Sequence, residues 1–225
     1  DPSPILVLQP SLDMAQSFSK DRVANGLLKS TPCLRNKVKD PRARDSGNTT
    51  LHKLFPGGSL TLVGANSPSG LASRPIRLVL CDEVDRYPAS AGSEGDPVQL
   101  ARKRAATFWN RKIIMVSTPT NKDNSRIEEA FEGSDQRDFH VPCKHCHHEQ
   151  VLKWSNVQWI NKDPETASYE CSSCAVLWTD ADRRWGIRNG KWIAGKPFTG
   201  IAGFRISGLY SPWTPLSEGV RDFMS

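Results

Sequence analysis

The run Ile76-Arg77-Leu78-Val79-Leu80-Cys81 leads straight into Asp82-Glu83, with Asp85 one residue beyond Val84. A nearly continuous aliphatic run reads as a strand buried on both faces, the pattern of a parallel sheet, and parallel strands oblige the chain to supply crossover connections. Ligands of open α/β sheets bind beyond the carboxyl ends of such strands. The run therefore sets a fold class and a place for chemistry at once. In a nucleotide-hydrolysing core, the first acid at this position holds Mg²⁺ and the second orients or deprotonates the attacking water, the Walker B arrangement. The same residues also suit a strand that ends at solvent in a charged turn.

The flanking sequence supplies the rest of an α/β core. Pro4 to Pro10 is a short apolar strand bounded by prolines, and Ser11 can cap a helix over Leu12 to Leu28. Thr49–Phe55 and Ser59–Gly64 alternate apolar with polar residues around Pro56-Gly57-Gly58, which predicts a hairpin. Residues 65–71 form a polar turn leading to a short helix, which sets Arg74 and Arg77 just before the organising strand. Pro88 to Asp96 has the composition of a mobile loop beside the acids. Pro97 opens a helix reaching Phe108, and Lys112 to Val116 is a second aliphatic strand ending in Ser117-Thr118-Pro119-Thr120. Two such strands joined through a helix predict a right-handed parallel crossover with adjacent carboxyl ends. Further on, the pattern predicts a capped helix over Ser125–Phe131, strands at Arg137–Val141 and Ile201–Leu209, and a helix beginning near Leu216.

Cys143-Lys144-His145-Cys146 and Cys171-Ser172-Ser173-Cys174 are the most specific local signal, two C-x-x-C pairs separated by 24 residues. Each pair can form a knuckle whose thiolates point at one centre, giving the tetrahedral sulfur site that Zn²⁺ prefers. Four protein ligands leave no open position for water, so such a metal holds a fold and hydrolyses nothing. A disulfide pair is the other reading, and nothing else in the chain points to an oxidising compartment. His145, His147 and His148 could substitute as ligands, but four cysteines already complete the coordination, which favours a place for them outside it. Cys81 reads as a small buried strand residue and Cys33 as a solitary loop thiol. Trp154, Trp159, Trp178, Trp185 and Trp192 fall in or just after the cysteine region, where a small metal-stapled module has little else to bury. These features divide the chain into residues 1–141 (an α/β core), 142–196 (a zinc-ribbon-like subdomain) and 197–225 (a return strand and the start of a helix).

A formal charge of +6 favours a polyanionic partner such as nucleic acid. Lys and Arg gather at Lys29–Arg44, Ala101–Lys112 and Arg183–Lys196, and each cluster by itself reads as a solvated face. With 37% hydrophobic residues and a mean hydropathy of −0.50, the chain has no apolar run approaching the ~20 residues of a membrane helix. Its start, Asp1-Pro2-Ser3-Pro4, lacks an initiator Met and the features of a signal peptide, as expected of a chain excised from something longer and not secreted. A nucleotide site also needs a phosphate cradle, yet no G-x-x-x-x-G-K-[ST] occurs. In the nearest approach, Gly26-Leu27-Leu28-Lys29-Ser30, Leu28 stands where the glycine before Lys is required.

Several segments, in order, resemble the large terminase subunit of lambda-like tailed bacteriophages: Phe55–Gly70, Leu80–Asp85, Glu94–Pro97, Val116–Thr120, Val141–Cys146, Tyr169–Cys174 and Leu209–Trp213. The resemblance implies a partial P-loop NTPase of the RecA/ASCE-like kind, a parallel sheet with helices on both faces plus a small zinc-ribbon β subdomain. It also implies that residues 1–141 are the later part of that core and that the last helix leads toward a further domain. It implies a motor that hydrolyses ATP with Mg²⁺ to drive double-stranded DNA into a capsid, and a nuclease that cuts concatemeric DNA in the full-length form. Asp82 then looks like the Mg²⁺-associated acid and Glu83 the catalytic carboxylate. Ser117, Thr118 and Thr120 resemble the coupling motif, and Arg74 and Arg77 lie near the position of a phosphate-sensing arginine. The implied partners are DNA, the terminase small subunit and the portal or procapsid, in the cytoplasm of an infected or lysogenic bacterium. Without a Walker A loop or the nuclease acids, this chain alone is expected to hydrolyse ATP poorly or not at all, and a strand left without its first neighbour is expected to expose an edge that favours self-association or partial disorder near the N-terminus. The competing expectation is a non-catalytic zinc-ribbon module that binds nucleic acid.

Overall fold

The computed structural model describes residues 2–39, 47–72, 74–120 and 124–225. Part of the basic stretch Lys29–Arg44 lies outside them. The chain divides into two compact units, Asp1–Glu128 and Glu129–Ser225. No helix among the described residues is long and apolar enough to cross a membrane.

The first unit is built on a five-stranded sheet. Its strands are β1 (Pro4–Gln9), β2 (His52–Phe55), β3 (Gly58–Gly64), β4 (Leu78–Asp82) and β5 (Lys112–Val116), in spatial order β2-β3-β1-β4-β5. β1, β3, β4 and β5 run parallel, and β2 closes one edge as the antiparallel arm of the expected hairpin. Alternation along the strands sorts their side chains between two cores. On one face, Val7 and Leu62 meet Ala15 of α1 (Leu12–Phe18) and Val23 of the π-helical turns Ser19–Lys29, which continue α1 toward the short α2 (Pro32–Arg35). On the other, Leu6, Leu8, Val63, Val79 and Cys81 pack with Leu71 of α3 (Pro68–Ala72) and with Val98 and Ala101 of α4 (Pro97–Arg104). Both faces are thus covered by helices, as parallel strands require.

Local chemistry explains the helix starts. The Ser11 hydroxyl accepts from Met14 N–H, and Asp96 caps α4 by accepting from Gln99 N–H ahead of Pro97. α4 stops at Arg104, four residues short of the expected Phe108, because the chain must turn to enter β5. β5 is also less buried than its aliphatic sequence suggests. It pairs with β4 alone among the described residues, and Ile114 and Val116 are 46% and 56% exposed.

The helix α5 (Arg126–Glu132) runs across the division at Glu128, and Ser125 caps it through Glu128 N–H. The second unit holds β6 (Arg137–Pro142), β7 (Glu149–Val151), β8 (Val157–Ile160), β9 (Asp163–Glu170), β10 (Leu177–Trp178), α6 (Asp180–Arg188), β11 (Lys191–Ala194), β12 (Phe204–Arg205) and α7 (Leu216–Met224). β6 pairs with β7, β11 and β12, and β9 lies between β8 and β10. Their core contains Val141, Tyr169, Trp178, Leu216 and Val220. The long strand expected at Ile201–Leu209 is only the two residues Phe204–Arg205; Ile201 and Ile206 are 47% and 61% exposed, so the aliphatic pattern there has no buried face to form.

The basic stretch Arg183–Lys196 is not simply a solvated face. Arg183 is 1% exposed, pairs with Asp180, and donates to the carbonyls of Leu209, Ser211 and Thr214. One guanidinium therefore fastens the 209–214 loop to α6.

Candidate functional site

The parallel register aligns the carboxyl ends of β1, β4 and β5. Leu8 lies opposite Cys81, and Asp82 opposite Val116, so Gln9, Asp82 and Ser117 gather along one edge. Gln9, itself buried, donates from Nε2 to Asp82 Oδ2 at 2.9 Å. One Asp82 oxygen is thereby oriented from the neighbouring strand while the side chain stays half-buried. Glu83 follows in the left-handed region at φ 56°, unusual for a residue with a Cβ, and its carboxylate lies 3.4 Å from Arg86. That backbone turn sends the chain off the strand immediately after Asp82. Behind it, Tyr87 anchors the following turn by donating to Leu8 carbonyl at 2.9 Å.

Asp85 organises the loops around the two acids. Its N–H donates to Ser117 Oγ, and its carboxylate accepts from the N–H groups of Thr120 at 3.1 Å and Ile127 at 2.9 Å. Partial burial raises the Asp85 carboxyl, but the Ser125 hydroxyl and the N–H groups of Ile127, Thr120 and Arg126 outweigh it and hold the group below its ordinary value. Arg126 completes the frame, donating to the carbonyls of Val84, Tyr87 and Pro88 and pairing with Asp96 at 3.1 Å. Asp82, Glu83, Ser117, Thr118 and Thr120 thus come together at one end of the sheet.

Arg74 and Arg77 do not join them. Arg77 precedes β4, with its N–H on Pro4 carbonyl, and the strand then runs five residues to Asp82, roughly 16 Å at a rise of about 3.3 Å per residue. Arg74 follows α3 at the same far end, where it lines a small cavity with His52 and Thr61. Sequence proximity to a strand's start places a residue away from chemistry at its other end.

The second candidate site is the cysteine cluster, whose four Sγ atoms lie within 4.8 Å of one another. Cys143 and Cys174 are 3.9 Å apart and Cys146 and Cys171 3.8 Å, far beyond the ~2.05 Å of a disulfide and close to the spacing of sulfurs sharing a tetrahedral centre at ~2.3 Å. The two pairs are built alike. His147 N–H reaches Cys143 carbonyl and Cys143 N–H reaches His148 carbonyl; Ala175 and Cys171 repeat this with Cys171 and Val176. His147 and Ala175, each just after the second cysteine of its pair, take the left-handed conformation at φ 60° and 56°. Buried Gln150 bridges the site, donating to Cys171 Sγ at 3.4 Å and accepting from Ser172 N–H at 3.0 Å. Burial raises the Cys171 thiol, yet the N–H groups of Cys174 and Ser173 outweigh it and lower the group to about 6. Cys174 moves the other way, to about 12: Val176 N–H lowers it, while burial and the three neighbouring sulfurs raise it more. Four sulfurs this close make a soft, closed donor set that could hold a metal ion between them. By contrast, burial pushes Cys81 up to about 12, as befits an inert strand residue.

Gln9, Asp85, Arg126 and Gln150 are the residues that sequence reasoning missed as site builders. Only Asp85 carried a signal, its place in the acidic turn; the other three act through partners 21 to 73 residues away.

The fold and its two sites define an α/β protein with carboxylates at the carboxyl edge of a mostly parallel sheet and, in its second unit, a four-cysteine centre. Residues 1–192 match the family model described as phage terminase large subunit gpA, ATPase domain, and the chain belongs to that family. It is 27% identical to the terminase large subunit of Enterobacteria phage P21 and 25% identical to that of Escherichia phage lambda, each alignment covering 97% of this chain and 38% of the relative. The chain therefore spans well under half the length of these relatives. A solved ATPase domain of the large terminase of Thermus phage P74-26 is 16% identical with a TM-score of 0.33, covering 53% of this chain and 49% of that one.

Proposed function

We propose that the chain is the later part of the ATPase core of a DNA-packaging terminase large subunit, together with a zinc-stapled second unit. The observation that carries this reading is the convergence of Asp82, Glu83 and Ser117 at one strand edge within a family match over residues 1–192. In the whole protein, ATP hydrolysis would drive double-stranded DNA into a procapsid, working with the small subunit and portal in the host cytoplasm, and a further domain would cut concatemeric DNA.

Asp82, oriented by Gln9, offers a hard carboxylate oxygen suited to Mg²⁺, which when bound would neutralise charge on the nucleotide phosphates. Glu83 is the base that orients or deprotonates the attacking water. Ser117, Thr118 and Thr120 form the strap that senses the nucleotide state, tied to the acidic turn through Asp85. Cys143, Cys146, Cys171 and Cys174 hold structural Zn²⁺. β1 is not the exposed edge expected near the N-terminus, since β3 and β4 pair it on both sides; self-association would instead occur at the edge of β5, where Ile114 and Val116 are exposed.

The test is ATP turnover by a terminase large subunit that contains this segment. Glu83→Gln removes a base without changing shape, and kcat should fall 10²- to 10⁴-fold with little change in KM. Unchanged turnover would refute the assignment of Glu83. The 225-residue chain alone should show negligible turnover, since its sequence holds no phosphate-cradling loop.

A further inference from the structure

We infer that the end of the first unit opposite the acids, at the amino-terminal ends of β4 and β5, is a nucleic-acid-binding face on which Arg and Lys hold phosphates and Trp109 stacks on a base. The segments Gly47–Cys81 and Pro97–Thr120 contain no Asp or Glu and carry eight Lys and Arg residues. The fold brings their cations to one end. Arg104 ends α4 there, with its Nε on Leu71 carbonyl and its own carbonyl accepting from Ile76 N–H. Lys112 opens β5 opposite Leu78, and its N–H reaches Arg77 carbonyl. Arg74, Arg102, Lys103, Arg111 and Lys112 are all exposed, and none of them forms an ion pair with another described residue. Four acids of the unit's later half, Asp82, Glu83, Asp85 and Asp96, sit at or beside the other end, so these charges are separated from the cations along the strand direction.

Trp109 projects from the turn between α4 and β5 and is 92% exposed, the most exposed of the described large apolar side chains. An indole held almost wholly in water amid cations gains nothing from folding. Favourable interaction of a helix C-terminus with cations accounts for Arg102, Lys103 and Arg104. It does not account for Arg74, Arg111 and Lys112, or for the tryptophan. A base and its phosphates match the whole set, because every base offers a π-face and every nucleotide a negative charge.

The choice of DNA over another polyanion rests on the packaging reading, whereas binding at this face is measured independently of ATP turnover, which reads Glu83 at the other end. The experiment is fluorescence anisotropy of the zinc-loaded 225-residue chain with a labelled 30-base single strand and a 30-base-pair duplex between 50 and 200 mM salt. The triple variant Arg102→Glu, Arg111→Glu, Lys112→Glu should weaken binding to both at least tenfold at low salt. It should also flatten the plot of log K against log salt by about 2 to 3, at roughly 0.7–0.9 for each phosphate no longer neutralised. Trp109→Ala should weaken single-strand binding at least fivefold and duplex binding less than twofold, the loss of one stacked base. A control pair on the opposite surface, Lys20→Glu with Arg22→Glu, should cost less than threefold. The assignment fails if the parent chain binds neither DNA, if the triple variant binds like the parent, or if the control pair costs as much. Parent-like single-strand binding by Trp109→Ala overturns the stacking role of the indole.

Discussion

Two residues with the same backbone conformation show how differently strain is placed. Glu83 and Ala175 both have φ 56°, in the left-handed region that costs an L-residue roughly 1–2 kcal/mol. At Ala175 the conformation closes a cysteine knuckle, and the side chain is a single methyl group. Ala175→Gly should therefore stabilise the second unit by about 0.5–1 kcal/mol once glycine's extra unfolded-state entropy is subtracted. Thermal unfolding of the zinc-loaded chain measures this, and a lowered midpoint would refute it. At Glu83 the same relief would remove the proposed base, so strain there is retained beside the chemistry. The adjacent carboxylates and the C-x-x-C pairs were legible in the sequence because their spacing is itself the signal. The left-handed turns were not, since neither Glu83 nor Ala175 is a glycine or asparagine that would announce one.

At the scale of elements, the acidic turn and the loop after β5 are held together by one carboxylate. Asp85 accepts from Thr120 and Ile127 and has its N–H on Ser117, so it fixes the exit of β4, the exit of β5 and the start of α5. Asp85→Asn keeps the shape but loses the charge, and should cost about 1–3 kcal/mol in chemical denaturation. The pH dependence has a definite sign. The folded-state carboxyl is held below its ordinary value, so its stabilisation is full above about pH 4, where the unfolded-chain carboxyl titrates, and is lost as pH falls through the lower folded value. Asp85→Asn should flatten that acid limb, and an unchanged limb would remove Asp85 as its source. Strand runs, caps and the β2–β3 hairpin were readable from periodicity and turn chemistry. The burial of β5 was not, because an aliphatic strand at a sheet edge has the same sequence as one in the centre. Nor was that of Arg183, whose partners are carbonyls of a loop 26 to 31 residues away.

For the whole chain, the two units draw on different sources of stability. The first has helices on both sheet faces and two apolar cores of its own. The second spreads 97 residues over short strands, and buried Cys143 and Cys171 are part of its apolar core. On the proposed zinc site, removing Zn²⁺ should therefore unfold the second unit and leave the first folded, because the two cysteine knuckles lose the centre that ties them to one another. The tryptophans make the outcome easy to read: Trp109 belongs to the first unit and the other six of seven to the second. Stripping the metal with a chelator at neutral pH should shift tryptophan emission to the red and collapse near-ultraviolet dichroism, while the far-ultraviolet helical signal falls only by the share of α6 and α7. Re-addition of Zn²⁺ at one equivalent should restore both. If measured zinc falls to zero and the emission does not move, the four cysteines do not hold the unit together, and the knuckles are stable on their backbone hydrogen bonds and Gln150 alone.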